Sequence, residues 1–233
     1  MDNHKFLVVS PTYNDSENIK KFINQLLDSN FHVLIIDDDS PDGTSDLIKE
    51  HQQYENSLFL IERSGKLGYG SAIIAGFNYG VKNNYEYIVQ MDADLSHQIQ
   101  DLHNMINNID GYDVIVGSRY IKDGGSRGWG VHRRLLSKYA NKLAGFVTKS
   151  EINDMTTGFR IYNSASLKKI SYESSEYNGY SFLVDLLNKC VQKELHIKEV
   201  PITFLERELG KSKMNFSIVL EGVRTLAKIY FTK

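Results

Sequence analysis

One cysteine, Cys190, is all that the 233-residue chain holds. A lone thiol can form neither an internal disulfide framework nor an all-cysteine metal site, so a reducing compartment, the cytoplasm, is the expected setting. An excess of one charge is also missing: 27 Lys and Arg stand against 29 Asp and Glu, a net charge of −2. Without the electrostatic footprint of a nucleic-acid binder, no nucleic-acid partner is expected. Long apolar runs are absent. The FLVV run near the N-terminus is too short for the central region of a signal peptide, and no stretch approaches the ~18 apolar residues of a spanning helix. Any membrane role is therefore expected to be peripheral or to pass through a membrane partner. No His pair has zinc-protease spacing, and no G-x-S-x-G elbow occurs. Gly68 and Gly70 are followed by Ile73 where a dinucleotide fingerprint needs its third glycine, and their order does not fit a P-loop. Hydrolases of those kinds drop out, and NAD-binding and ATP-hydrolysis readings lose support.

What is present is ordinary globular material, 41% hydrophobic and 24% charged, in a length that suits one large or two small domains. Short apolar runs at KFLVVS, HVLIID, LFLI, YIVQM and DVIVGS read as strands. Helical stretches are expected over 17–28, 44–53, 71–82 and 100–108, with Asn14 and Glu17 at capping-box spacing before the first. This rhythm predicts an α/β fold with a Rossmann-like, mostly parallel sheet flanked by helices. Beyond Ser118, four glycines in KDGGSRGWG predict a mobile loop over 122–130, a candidate lid. FRIY reads as a strand, 181–193 as a helix and HIKEVPITF as extended, with a C-terminal helix from about Phe216. The segment 119–149 carries eight basic residues and one acid, a local balance of +7 that leaves −9 for the remainder.

The candidate chemistry lies at strand ends. YIVQMDADLSH places Asp92 and Asp94 just past a buried strand, where open α/β sheets line their ligand crevice. Two carboxylates there read either as a polar turn or as a site for Mg²⁺ or Mn²⁺ on a nucleotide diphosphate, since those ions take hard oxygen ligands and complete their shell with substrate and water. IIDDDSPDGT ends a second strand and brings Asp37, Asp38 and Asp39 to the same rim. Asp38 is assigned to ligand recognition and the Pro41, Asp42, Gly43 stretch to the turn. GKLGYGS is either a flexible helix entry or a loop in which Lys66 contacts substrate.

Eight segments in order, PTYNDSENI, DDDSPDGT, GKLGYGSAIIAGF, MDADLSH, GSRY, DMTTGFR, GYSF and EVPITF…R…GKSK, cover nearly the whole chain. They closely resemble dolichol-phosphate mannosyltransferases and related polyprenyl-phosphate sugar synthases, inverting family 2 glycosyltransferases of the GT-A fold. The resemblance implies transfer of a hexose, typically mannose from GDP-mannose, to a membrane polyprenyl phosphate. It implies that Pro11, Tyr13 and Asp38 hold the nucleotide, with Asp15 where the family usually has Glu. Asp92 and Asp94 match its metal and diphosphate site, with Ala93 between them and Ser96 where some members carry Gln. Arg119, Arg133, Arg207 and Lys213 match its basic groups around the phosphates, and Asp154 with TTGFR resembles its DxTSGFR segment, Thr157 replacing Ser.

The chemistry agrees with that implication. A phosphate monoester has its second pKa near ~6, so such an acceptor is mostly ionised at neutral pH and needs no strong general base. It needs cations to hold two anionic substrates together and a metal on the leaving diphosphate. Asp94, Arg119 and Arg133 are the expected catalytic residues. Three other readings stand beside this one. A UDP-sugar-dependent polyprenyl-phosphate glucosyltransferase or polysaccharide glycosyltransferase keeps the scaffold, and a hydroxyl acceptor would call on Asp154 or Asp185 as base. An aspartyl phosphotransferase would use Asp92 as nucleophile. A nucleotide-sugar-binding regulatory subunit would not catalyse at all.

The expected organisation is a single catalytic domain over 1–214 and an amphipathic helix over 215–233. In the latter, Phe216, Val219, Leu220, Val223, Leu226, Ala227 and Tyr230 share one stripe. That stripe packs on the protein's own core, lies in a membrane interface, or docks a membrane subunit. The +7 segment also suits anionic headgroups.

Overall fold

Runs such as FLVVS and VLIID are too short for stable helices and rich in residues that suit a pleated surface, and they form strands buried on both faces. The computed structural model describes residues 3–206 apart from 176 and 178, together with 224 and 226–228. The first half runs β1 (Phe6–Thr12), α1 (Ser16–Leu27), β2 (His32–Asp37), α2 (Thr44–Lys49), β3 (Leu58–Glu62), α3 (Tyr69–Lys82), β4 (Tyr87–Gln90) and α4 (Ile99–Ile106). The second runs β5 (Val114–Ser118), β6 (Gly125–Arg127), α5 (Val131–Thr148), β7 (Arg160–Asn163), α6 (Ser164–Leu167), α7 (Gly179–Gln192), β8 (Ile197–Pro201) and β9 (Thr203–Leu205).

Seven strands form one sheet in the order β3-β2-β1-β4-β7-β5-β8. Only β7 runs against its neighbours, β4 and β5; the other pairs are parallel. Six strands thus deliver their carboxyl ends to one edge. The chain winds outward from β1 through β2 to β3, then returns to place β4 on the other side of β1. That reversal opens a crevice beyond the ends of β1 and β4, where α/β sheets bind ligands. Alternation along β1 sends Leu7 and Val9 to one core, with Phe77 of α3 and Phe182 of α7, and Phe6 and Val8 to the other, with Phe22 of α1 and Met105 of α4. The sheet is therefore covered on both faces, and the expected α/β architecture is present.

Two local expectations are corrected. The Asn14 capping box does not form: Asn14 takes a left-handed φ of 59° and α1 starts at Ser16 behind Asp15. The Ser16 N–H is met instead by Asp42 Oδ2 at 3.0 Å, from the turn after β2. Burial raises the Asp42 pKa, but hydrogen bonds from Thr44 and Ser16 outweigh it and hold the carboxyl below its ordinary value.

The glycine-rich stretch 122–130 contains β6, which pairs in parallel with β9. A Cβ on Gly124 would lie 2.5 Å from the Ser118 carbonyl, so a glycine here serves close backbone approach as well as turning. The +7 segment, read only by its charge, folds over most of its length as the 18-residue helix α5.

Of the tail stripe, Leu226 and Ala227 are described; Leu226 is helical and packs against the core cluster of α3 and α7. The remainder of that expected helix, and Arg207 and Lys213, lie outside the described residues.

Candidate active site

The turn after β2 uses its acids differently from one another. Asp37 is fully buried and accepts from Thr12 Oγ1, Ser40 N, Ser40 Oγ and Ser45 Oγ at 2.6–3.0 Å. It holds the turn together. Asp38, also buried, forms an ion pair with Arg63 and accepts from Gly68 N at 3.0 Å. Arg63 in turn donates to Ser71 Oγ at 2.6 Å and Gly68 O at 2.9 Å, fixing the GKLGYG loop to the strand ends. The loop's Lys66 ammonium sits 3.9 Å over the Tyr13 ring, a cation–π contact that places two sequence-assigned residues side by side. Pro11 lies within β1 opposite Ile36. Asp15 Oδ2 accepts from Tyr13 N at 3.1 Å, which shapes the chain just past β1.

Asp92 and Asp94 follow β4 in a tight turn that puts Leu95 at φ 62°, an uncommon conformation for a residue of that type. Asp94 Oδ1 accepts from Ser96 N at 3.0 Å and Ser96 Oγ at 2.5 Å, so the serine hydroxyl is used to orient Asp94. Tyr69 donates to Asp92 Oδ1 at 3.1 Å and accepts from Gln90 Nε2 at 2.9 Å. Burial, reinforced by the Asp92 charge, pushes the Tyr69 pKa well above 10.0, which keeps this phenol a donor. Gly158 of TTGFR is required beside it, because a Cβ there would meet the Tyr69 hydroxyl at 2.6 Å. The Ala93 side chain faces the core, so only its backbone is offered to the site.

Two carboxylates, with no group of three or more His, Cys, Asp or Glu arranged for a metal among the described residues, do not make a closed tetrahedral centre. They do fit a hard ion such as Mg²⁺ or Mn²⁺ that keeps water and takes its remaining oxygens from a diphosphate. Tyr69→Phe removes one hydrogen bond to Asp92 and leaves Gln90 Nε2 without its phenol acceptor, a loss of about 1–2 kcal/mol. The expected result is metal-dependent nucleotide binding weakened roughly five- to thirtyfold, measured by calorimetry, with metal-independent binding unchanged.

From Asp92 an aromatic bridge crosses to the basic side. His97 Nδ1 faces the Asp92 N–H at 3.3 Å. The His97 ring stacks on Phe159, with centroids 4.6 Å apart, and meets Phe204 edge-on at 5.5 Å. Phe204 meets Trp129 at 5.2 Å, and the Arg133 guanidinium lies 4.1 Å over the Trp129 ring. Arg119 stands 5.3 Å from the same ring, so two of the sequence-assigned arginines share one indole. Arg133 Nη1 also donates to Glu206 Oε1 at 3.2 Å. Trp129 Nε1 and Arg133 Nε are buried donors without an acceptor among the described residues.

Arg119 is held from behind. Its Nε and Nη2 form a two-pronged bond to Asp154 at 2.7 Å each, its backbone N–H donates to the same carboxylate at 3.0 Å, and Nη2 reaches Thr156 Oγ1 at 2.9 Å. Asn141 of α5 joins this group through Thr156 Oγ1 at 3.0 Å and the Met155 N–H at 2.7 Å. Burial raises the Asp154 pKa, but the Arg119 charge and its hydrogen bonds prevail and hold it below 3.8. Fully buried and committed to Arg119, Asp154 cannot serve as an accessible general base. Asp185 is also buried, with Lys189 3.5 Å away. Thr157 Oγ1 accepts from Phe159 N at 3.2 Å within the same loop.

The sequence reading did not single out Arg63, Tyr69, His97, Trp129, Glu206 or Arg160. His97 and Trp129 carried a signal, the first five residues past Asp92 and the second the chain's only tryptophan, in a glycine-rich stretch. Arg160 is fully buried and donates to the carbonyls of Leu183 and Met155 at 2.9 Å, tying the TTGFR loop to α7.

Comparison with known proteins joins this geometry to a family. The family model of Glycosyl transferase family 2 matches residues 7–171. Polyprenol monophosphomannose synthase of Mycolicibacterium smegmatis is 38% identical over 95% of this chain and 85% of its own length. Undecaprenyl-phosphate mannosyltransferase of Micrococcus luteus is 36% identical over 94% of this chain and 91% of its own. Among solved structures, glucosyl-3-phosphoglycerate synthase of Mycobacterium tuberculosis with phosphoglyceric acid superposes with a TM-score of 0.69 at 15% identity, covering 97% of this chain and 80% of that one. The same enzyme with Mn²⁺, uridine diphosphate and glucosyl-3-phosphoglycerate gives 0.68 at 14% identity, covering 97% and 78%. With a matched family model, relatives aligned nearly end to end and the expected sheet in place, the chain belongs to glycosyl transferase family 2 and is a hexosyltransferase of the GT-A fold.

Proposed function

We propose that this hexosyltransferase moves mannose from GDP-mannose to the phosphate of a polyprenyl phosphate, using Mg²⁺ or Mn²⁺ held by Asp92 and Asp94. The observation that carries the acceptor side is the pair of buried donors unmatched among the described residues, Trp129 Nε1 and Arg133 Nε, beside the anchored Arg119. Buried donors without acceptors cost free energy, and an anionic phosphate among them removes that cost. The names of the two mannosyltransferase relatives support mannose as the sugar and a polyprenyl phosphate as the acceptor.

In this reading Pro11, Tyr13, Asp15, Asp38 and Lys66 surround the nucleotide, and Ala93 offers its backbone at the diphosphate. When bound, the metal would neutralise charge on the diphosphate leaving group. Arg119 and Arg133 hold the acceptor phosphate opposite that group, and Trp129 donates to it. An acceptor oxygen forms the new bond to the anomeric carbon as the bond from that carbon to the diphosphate breaks, and the electron pair leaves on the nucleoside diphosphate. Because the acceptor is already ionised, no proton has to be removed, in keeping with the commitment of Asp154 to Arg119. Arg207 and Lys213 are assigned to the phosphates on the sequence resemblance alone. Residues 1–214 form the catalytic unit in this account and 215–233 an amphipathic helix. The protein works peripherally at the cytoplasmic face of a membrane, alone or with a membrane partner. Among the described residues no helix is long and apolar enough to cross a bilayer.

Calorimetric titration with GDP, UDP, GDP-mannose and UDP-glucose, with and without Mn²⁺, tests the donor. Metal-dependent preference for GDP-mannose is expected. Preference for a UDP-sugar would move the donor assignment, and no binding at all would contradict the catalytic reading. Arg133→Ala separates the substrates: KM for polyprenyl phosphate is expected to rise about tenfold or more while donor Kd stays within about twofold. An equal loss of donor binding would place Arg133 on the donor side.

A further inference from the structure

Helix α5 is built the wrong way round for a helix of a soluble protein. Its buried residues are Asn141, Ala144, Gly145, Val147 and Thr148, mostly small or polar. Its outward residues include Val131, Leu135, Leu136, Tyr139, Leu143 and Phe146, all large and apolar, with Phe146 76%, Tyr139 66% and Val131 59% exposed. At about 100° per residue these six fall on one continuous stripe opposite the buried face. They account for six of the eight large hydrophobic residues that stand exposed among those described. An apolar stripe that runs from Val131 to Phe146 of an 18-residue helix about 27 Å long is not ordinary surface scatter.

Charge identifies what covers it. Lys142 lies just inside one edge of the stripe, Lys138 just outside it and Arg134 beyond Lys138, all exposed, and the helix contains no acidic residue. An apolar face edged with cations is complementary to an anionic lipid surface, into which such a helix sinks its apolar side while the basic heads stay among the headgroups. The stripe begins at Val131, two residues past Trp129, so it is continuous with the proposed phosphate site. We propose that α5 is the membrane-docking surface of this protein and lies in the interface of an anionic bilayer, with the active-site crevice opening beside it. This deepens the acceptor assignment of the proposed function. It is tested on vesicles that hold no polyprenyl phosphate, so that failure of docking and failure of that assignment are seen separately.

The experiment is co-sedimentation of the full chain with vesicles of phosphatidylcholine alone and of equal parts phosphatidylcholine and phosphatidylglycerol, with GDP-mannose calorimetry on the same samples. Wild-type protein is expected to bind the anionic vesicles and to be released by high salt. The double variant Tyr139→Ser/Phe146→Ser, and separately Lys138→Glu/Lys142→Glu, should each lose at least tenfold in partitioning. Both should keep the wild-type thermal midpoint and donor affinity, since all four side chains face outward. Absence of wild-type binding, or equal binding by wild type and both variants, would overturn the assignment. So would a concentration-dependent dimer in sedimentation velocity that Tyr139→Ser/Phe146→Ser converts to monomer, because the stripe would then be covered by a second copy of this chain.

Discussion

Replacing Asp94 by Asn is expected to lower transfer by about a thousandfold, roughly 4 kcal/mol of transition-state stabilisation. The substitution is nearly isosteric, and an Asn side-chain oxygen can still accept from Ser96 N and Ser96 Oγ as Asp94 Oδ1 does. What disappears is one of the two negative charges that, in the proposed function, hold a divalent ion at the turn after β4. The loss should therefore be specific: nucleotide binding measured with Mn²⁺ falls to the level measured without it, and the thermal midpoint hardly moves. Turnover near the wild-type value would remove Asp94 from the metal site, and a collapsed thermal midpoint would make its role structural.

The second large effect concerns stability. Arg119 and Asp154 are both buried, 7% and 0% exposed, and are paired in two-pronged geometry. Removing one partner leaves the other as an uncompensated buried charge, so Asp154→Ala is expected to cost about 3–5 kcal/mol, read from urea denaturation. The pair also sets a direction of pH dependence. The folded Asp154 pKa lies below the ordinary 3.8, so as the pH falls the unfolded chain takes up the proton first. The contribution of the pair is complete well above pH 3.8 and is lost as the pH falls through the lower folded value. Wild type should accordingly lose stability steeply in that acid window, while Asp154→Asn, already lower, should lack that component of the slope. Identical acid profiles would show that the ion pair adds nothing to folding.

Sequence periodicity was sufficient for the sheet because each of the five runs from KFLVVS to DVIVGS is apolar on both faces and bounded by turn residues. It also found both acidic turns, since Asp37, Asp38, Asp92 and Asp94 lie directly at strand ends. Spacing could not tell which acid of a cluster does what. Asp37 is consumed by three donors of its own turn and by Thr12, and Asp38 is anchored by Arg63; Thr12 and Arg63 each stand 25 residues from the acid they meet, and no motif announces either. The capping box failed because Asn14 takes a left-handed φ of 59° and gives its N–H to Ser40 Oγ, 26 residues on, which leaves Asp15 ahead of α1. Helix α5 was missed for a different reason. Its inward face is small and polar and its outward face apolar, so its pattern does not describe a helix packing on its own core. The aromatic bridge from His97 through Phe204 to Trp129 joins three segments and could be seen only once β9 lay beside β6.

The measurement that bears most directly on the whole account is transfer of labelled mannose from GDP-mannose, with Mn²⁺, to polyprenyl phosphate and, in parallel, to the matching polyprenol without phosphate. Label is predicted to pass into the organic phase with the phosphorylated lipid only, because the proposed acceptor site sets Arg119, Trp129 and Arg133 around an anion and Asp154, committed to Arg119, is unavailable to activate a hydroxyl. Transfer to the free polyprenol at a comparable rate, or no transfer to polyprenyl phosphate from any nucleotide sugar that the protein binds, would contradict it.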